Sequence, residues 1–367
     1  MTKLSLLPVV ALLYFGFTVP HKPESEIQKQ DSGDTTLTYP QEKHLKNLRQ
    51  ITFGGDNAEA YWSFDNAKLS FQSNNKAWGL HCDQIFITPV EGSDLKNKRP
   101  QMISTGLGRT TCAYFMPGNK SVLYASTHLG GSACPAEAER KPGGKYLWSI
   151  YDTYDIFVAN LKGKIKKQLT NTNGYDAEAT VSPKGDKIVF TSTRNGDLDL
   201  YIMNIDGTNV KQITHELGYD GGAFFSPDGS KIVFRASRPK TAEEKKEYQE
   251  YLRQGLVAPT EMEIYTCNVD GSALKQITNL GKANWAPFYH PSGKKILFSS
   301  NHKSTRGFQF NIFMINDDGT GLEQITYDGV FDSFPMFSPD GKKLVFSSNR
   351  NNGGTRDTNL FVADWVD

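Results

Sequence analysis

The 367-residue sequence has no excess of either charge: 41 Lys and Arg stand against 40 Asp and Glu, for a formal net charge of +1. That excludes a dedicated nucleic-acid binder, whose electrostatic footprint is basic. Cysteine is scarce. The four residues at 82, 112, 134 and 267 form no C-x-x-C pair, which excludes a dense disulfide scaffold and argues against a zinc ribbon. Gly and Pro, at 33 and 17, fall well short of a disordered composition. No P-loop and no dinucleotide glycine pattern occurs. Gly130-Gly-Ser-Ala-Cys134 is not a G-x-S-x-G elbow, so nucleophilic catalysis has little support.

Long apolar runs are absent after the first 20 residues. Leu4 to Val19 is almost wholly apolar behind Lys3. Sixteen residues as a helix reach about 24 Å, short of a ~30 Å hydrocarbon core. We read residues 1–20 as a secretory signal or N-terminal hydrophobic segment, with no integral span once it is removed. No Cys precedes Cys82, so a lipid-modified Cys behind the signal is not expected. Residues 21–44 are polar at first, hold Pro23, Gly33 and Pro40, and read as a flexible tether. The expected location is periplasmic or secreted.

What the chain does have is a repeat. Ser182-Pro-Lys-Gly-Asp-Lys-Ile-Val-Phe190 returns as Ser226-Pro-Asp-Gly-Ser-Lys-Ile-Val-Phe234 and Ser338-Pro-Asp-Gly-Lys-Lys-Leu-Val-Phe346. Weaker copies begin at Ser63, Met116 and His290, and the six anchors lie 53, 66, 44, 64 and 48 residues apart. Such a period means propeller blades or an array. Pro-Asp-Gly is a tight turn, and the Ile-Val-Phe run is a strand buried on both faces. An Asp-Gly hairpin follows several copies, as in Leu200–Thr208 leading to Gln212-Ile-Thr214. Each unit is thus four antiparallel strands. Leu360–Trp365 lacks a fourth strand and Leu48–Thr52 lacks a third. Pairing them removes two sheet edges and closes six blades over residues 45–367. The expected fold is all-β: a six-bladed β-propeller.

The S-P-D-G-x-K-I-V-F copies, the strand starts at Asp199, Glu263, Asn311 and Asn359, and the closing Q-I-T resemble the propeller of TolB-type proteins. The resemblance covers about residues 45–367. It departs from that family in the N-terminal α/β domain, since only about 22 tether residues separate signal and propeller. It implies a scaffold that holds a protein or peptide partner in the cell envelope. Prolyl-oligopeptidase relatives place a similar propeller before a hydrolase domain, which is not expected here.

The short turns share one rim. The other rim collects the insertions, 127–153 and 239–259; Thr241-Ala-Glu-Glu244 within the second is a capping box. Function sits on such loops over a rigid scaffold. Candidates for a ligand-binding channel mouth are Arg109, Asp176, Glu178, Arg194, Asp220, Arg238, Trp285 and Asp332, with Asn57, Glu59 and Arg235 nearby. Against them stands the reading that such carboxylates only join blade to blade. Some polysaccharide lyases on TolB-like propellers hold a divalent metal with His ligands. His81, His128 and His302 are the low-ranked candidates here, and a divalent cation in the central channel is the one cofactor considered. The alternative function is accordingly a carbohydrate-active lyase or hydrolase using channel carboxylates and His. A small-ligand sensor on the Trp285 and Asp220 side is a third. Cys82, Cys112 and Cys134 all map to the loop rim. Two of them are expected to pair, Cys112 with Cys134 first and Cys82 with Cys112 second. Cys267 reads as a buried apolar residue.

Overall fold

The structure, a computed structural model, describes residues 37–367 apart from 93–94, 97 and 140–143. The expected signal and most of the tether lie outside the described residues. Six four-stranded antiparallel sheets surround one axis. The innermost strands are Asp56–Trp62, Thr110–Phe115, Asp176–Val181, Asp220–Phe225, Asn284–Tyr289 and Asp332–Phe337, for blades one to six. Blade six closes as expected: Leu45–Gln50 pairs antiparallel with Asn359–Trp365, Leu45 opposite Trp365 and Gln50 opposite Phe361. The ring is therefore sealed by hydrogen bonds between chain segments more than 300 residues apart.

The repeat sequence explains the core. Ile188, Val189 and Phe190 are fully buried, as are Ile232, Val233 and Phe234, and Leu344, Val345 and Phe346. These second strands lie between their neighbours within the sheet and between adjacent blades, so both faces must be apolar. Residues 37–44 pack against blade six. The Glu42 carboxylate, buried there, pairs with Arg350, Oε1 to Nη2 at 2.9 Å.

The two insertions meet above the ring. The helix Ala242–Arg253 starts on the expected capping box of Thr241 and Glu244. After it, Leu256–Val257 forms a two-stranded sheet with Trp148–Ser149 of the other insertion. Among the described residues no helix is long and apolar enough to cross a membrane.

The cysteine pairing needs correction. Cys82 bonds to Cys134, joining the loop rims of blades one and two across 52 residues of chain, while Cys112 and Cys267 are free and buried. Cys112 sits inside the innermost strand of blade two, where a backbone irregularity carries its thiol to Glu59 rather than out to the rim.

Candidate functional site

Every innermost strand carries the same irregularity. Its register slips once, between Ala58 and Tyr61 in blade one and at the matching place in the other five. Within each slip lies a left-handed residue: Glu59, Cys112, Glu178, Gly222, Ala286 and Phe334, with φ from 47 to 59°. Five of the six are not glycine, at a cost of about 1–3 kcal/mol each. Bulges re-aim side chains. Here all six positions line one central cavity of about 490 Å³.

The floor of that cavity is aromatic. Two residues beyond the left-handed positions stand Tyr61, Tyr114, Phe224 and Phe288. Tyr61 and Phe224 come from opposite blades, and their ring centroids lie 5.9 Å apart. Tyr114 and Phe288 pack on either side, at 5.5 Å from Tyr61 and 5.1 Å from Phe224. Rings touching across the axis plug the channel at this level. On the other side the cavity reaches the loop rim, where half-exposed Tyr146 and exposed Glu137 line it.

The walls carry charge. Glu178 accepts from the Gly222 amide at 2.6 Å, the Arg235 guanidinium at 2.8 Å and the Tyr219 hydroxyl. Arg235 also lies over the rings of Trp148 and Tyr219, 5.5 and 5.0 Å from their centroids. The absence of a Cβ at Gly222 leaves the space that Nη1 of Arg235 occupies. Glu59 is different. It accepts from Cys112 Sγ at 3.0 Å and Tyr61 Oη at 3.4 Å, and burial pushes its carboxyl above the usual range. Toward the rim, Arg109 bridges Asp83 and Glu137 beside the disulfide. Trp285 donates its indole N–H to the Pro259 carbonyl at 2.8 Å and stacks on Phe310 and Trp148.

Of the residues singled out in the sequence, Arg109, Glu178 and Trp285 line this cavity together, joined by Glu59 and Arg235. Asp176, Arg194, Asp220, Arg238 and Asp332 are not in its lining. Asp176, Asp220 and Asp332 begin their strands fully buried, and each pairs with the arginine two residues beyond the end of its partner-strand register: Arg194, Arg238 and Arg350. Each of these arginines lies on aromatic rings of its own blade, as Arg194 does at 4.8 Å from Tyr201. The blade-two and blade-five residues at the same place are His128 and His302. They hydrogen-bond Ser126 and Ser300 and lie tilted against the rings of Phe157 and Phe313, with centroids 4.5 Å apart in each case. His81 is exposed beside Cys82. Among the described residues no three His, Cys, Asp or Glu side chains are grouped as a metal site.

The sequence reading did not foresee the aromatic floor. Its signal is an aromatic residue one place before the end of the innermost strand, recurring in four blades as Tyr61, Tyr114, Phe224 and Phe288. It also placed Arg235 on the rim, whereas the side chain reaches across to the neighbouring blade's Glu178.

The TolB beta propeller domain family matches residues 142–242. No curated protein matches the sequence closely. Among solved structures, a protein of Agrobacterium tumefaciens assigned as TolB is 21% identical with a TM-score of 0.53, over 85% of this chain and 91% of its own. TolB from Acinetobacter baumannii is 18% identical with a TM-score of 0.55, over 82% of this chain and 64% of its own length. An oligogalacturonate lyase in complex with manganese aligns over 90% and 96% of the two chains at 14% identity and a TM-score of 0.48. By its sheets and its closure the chain is a six-bladed β-propeller, and over residues 142–242 it is similar to the TolB beta propeller domain.

Proposed function

We propose that this propeller is an exported binding scaffold that holds a segment of a protein or peptide partner in the loop-rim cavity. The observation that carries the reading is the floored cavity. It is plugged by Tyr61 and Phe224 on one side and reaches the loop rim on the other, and two insertions from different blades are folded over it. All six left-handed positions line it, five of them strained because they are not glycine, and strain of this kind persists where the surroundings hold it in position. Export is supported by the Cys82–Cys134 disulfide, since such bonds persist in oxidising compartments. The partner is then an envelope protein or peptide.

Photo-crosslinking tests this. A photoreactive residue at Tyr146 or Phe308 on the loop rim is expected to yield a discrete adduct in intact envelopes. One at Lys184 or Asp340 on the turn rim is expected to yield none. Equal labelling from both rims, or none from the loop rim, defeats the proposal. The carbohydrate-active alternative is favoured by one observation, the raised carboxyl of Glu59, which could serve as a general acid. Metal analysis and activity on a polysaccharide panel separate the two.

A further inference from the structure

Glu59 and Glu178 are the same position of the repeat, in blades one and three. Both sit in the register slip, with φ of 53 and 57°, and both line the cavity. Their surroundings differ in where the nearest cation pairs. The next blade round from Glu178 is blade four, and there Arg235, opposite Gly221, supplies a guanidinium. The next blade round from Glu59 is blade two. The residue in the same register, opposite Thr111, is Ala125. Among the described residues no Lys, Arg or His forms an ion pair with Glu59; a thiol and a phenol are its only hydrogen-bond partners.

The rest of the cavity leans the same way. Among the described residues, five carboxylates line it (Asp56, Glu59, Asp83, Glu137 and Glu178) against two guanidinium groups, Arg109 and Arg235, which are already paired. Its upper wall is built from Trp148, Trp285 and several tyrosines. One such wall already holds a cation, since Arg235 lies over Trp148. Indole faces attract cations most strongly when water is excluded.

We propose that the deep end of the cavity binds a primary ammonium group on the Glu59 carboxylate, doing with a ligand what Arg235 does internally for Glu178. This rests on the reading that the cavity holds part of a protein or peptide, in which case the ammonium belongs to a lysine side chain or a free amino terminus. An anionic ligand, such as a uronate or a peptide carboxylate, would meet net negative charge there and is not accommodated.

The test uses small probes, so it does not depend on capturing a partner. Binding of n-butylammonium, n-butanol and butyrate to the full-length protein is measured by ligand-observed NMR and by tryptophan fluorescence. Butylammonium is expected to bind, butanol more weakly and butyrate not at all. Glu59→Gln is expected to weaken butylammonium about 10- to 100-fold, the range for a hydrogen bond to a charged group. Glu59→Asp, which keeps the charge, is expected to retain most of the binding. A tripeptide amide with a free amino terminus, its acetylated form, and the acetylated form carrying lysine then identify the source of the ammonium. If wild-type protein binds butanol or butyrate as well as butylammonium, the proposal is overturned without any variant. Unchanged binding in Glu59→Gln overturns it too. Loop-rim crosslinking could still succeed in either case, which keeps this failure distinct from failure of the scaffold reading.

Discussion

On the turn rim, Asp228 accepts hydrogen bonds from the Ser226 and Ser230 hydroxyls at 2.6 and 2.8 Å, and these bonds pull its carboxyl down to about 2. On the loop rim, burial pushes Asp199 up to about 7, aided by the neighbouring Asp197 and Asp220, and lifts Glu59 as well. The two rims carry the same kind of side chain in opposite settings. The acids of the Pro-Asp-Gly-type turns are local: Asp65, Asp228 and Asp340 each accept from a serine hydroxyl and a backbone amide of their own turn. Loop-rim acids depend on residues far away in sequence and on burial. One rim stabilises the repeat, and the other gives up stability to hold charge and strain around a cavity. That difference is open to experiment.

The largest effect belongs to the buried pairs of the loop rim. Arg350 is held between Glu42 and Asp332, both nearly inaccessible. Arg350→Ala leaves two buried carboxylates without their cation, which costs about 3–5 kcal/mol. A large drop in the denaturation midpoint is expected. A shift no larger than that of a surface substitution would erase the contrast between the rims.

Next comes the Cys82–Cys134 bond. It closes 52 residues and ties the first two blades at the rim, and its loss through Cys134→Ser is expected to cost about 2–4 kcal/mol. The same loss on adding reductant to wild-type protein, with none in the variant, assigns the effect to the bond.

The fold was legible in the sequence because each level repeats it: the turn-and-strand unit recurs six times and Q-I-T closes four of the blades, at 50–52, 212–214, 276–278 and 324–326, so a weak copy in one blade is corrected by the others. The cavity was legible only in part. Arg109, Glu178 and Trp285 were found because they lie at strand starts. Glu178 and Glu59 were named as carboxylates, but that they share a left-handed position with Cys112, Gly222, Ala286 and Phe334 was not legible, since these share no residue type; only the register, which needs coordinates, aligns them. The same hidden slip misdirected the disulfide assignment, for it turns Cys112 to the axis. Asp176, Asp220, Asp332, His128 and His302 looked like a converging polar set. In three dimensions each is satisfied within its own blade by an arginine, a serine or a ring.

The pH dependence should show both rims at once, with opposite signs. An unfolded aspartate titrates near about 4. Folded Asp199 titrates at about 7, so between pH 7 and 4 the folded chain holds a proton that the unfolded chain has released. Stability therefore rises as pH falls across that window, by about 1–2 kcal/mol once solvent screening is allowed for. Folded Asp228 titrates at about 2, so its contribution is present above pH 4 and is lost as pH falls from about 4 to 2. Asp199→Asn is expected to flatten the upper limb and leave the lower one. Denaturant midpoints taken from pH 7.5 to 3 decide this; a midpoint that rises steadily with pH would contradict it.

The smallest effect tests whether the turn rim is independent of the cavity. Ser226 Oγ donates to Asp228 at 2.6 Å and accepts from the Lys231 amide at 2.9 Å, closing the Pro-Asp-Gly turn on itself. Ser226→Ala removes one neutral-to-charged contact in a partly solvated turn, worth about 0.5–1.5 kcal/mol. Nothing in the turn touches the cavity, and the aromatic floor of Tyr61 and Phe224 lies between them. So stability should fall slightly while butylammonium binding stays at the wild-type level. A loss of probe binding in Ser226→Ala would mean that the floor transmits changes from one rim to the other. The two rims would then be coupled parts of one device, and the separation argued from their carboxylates would fail.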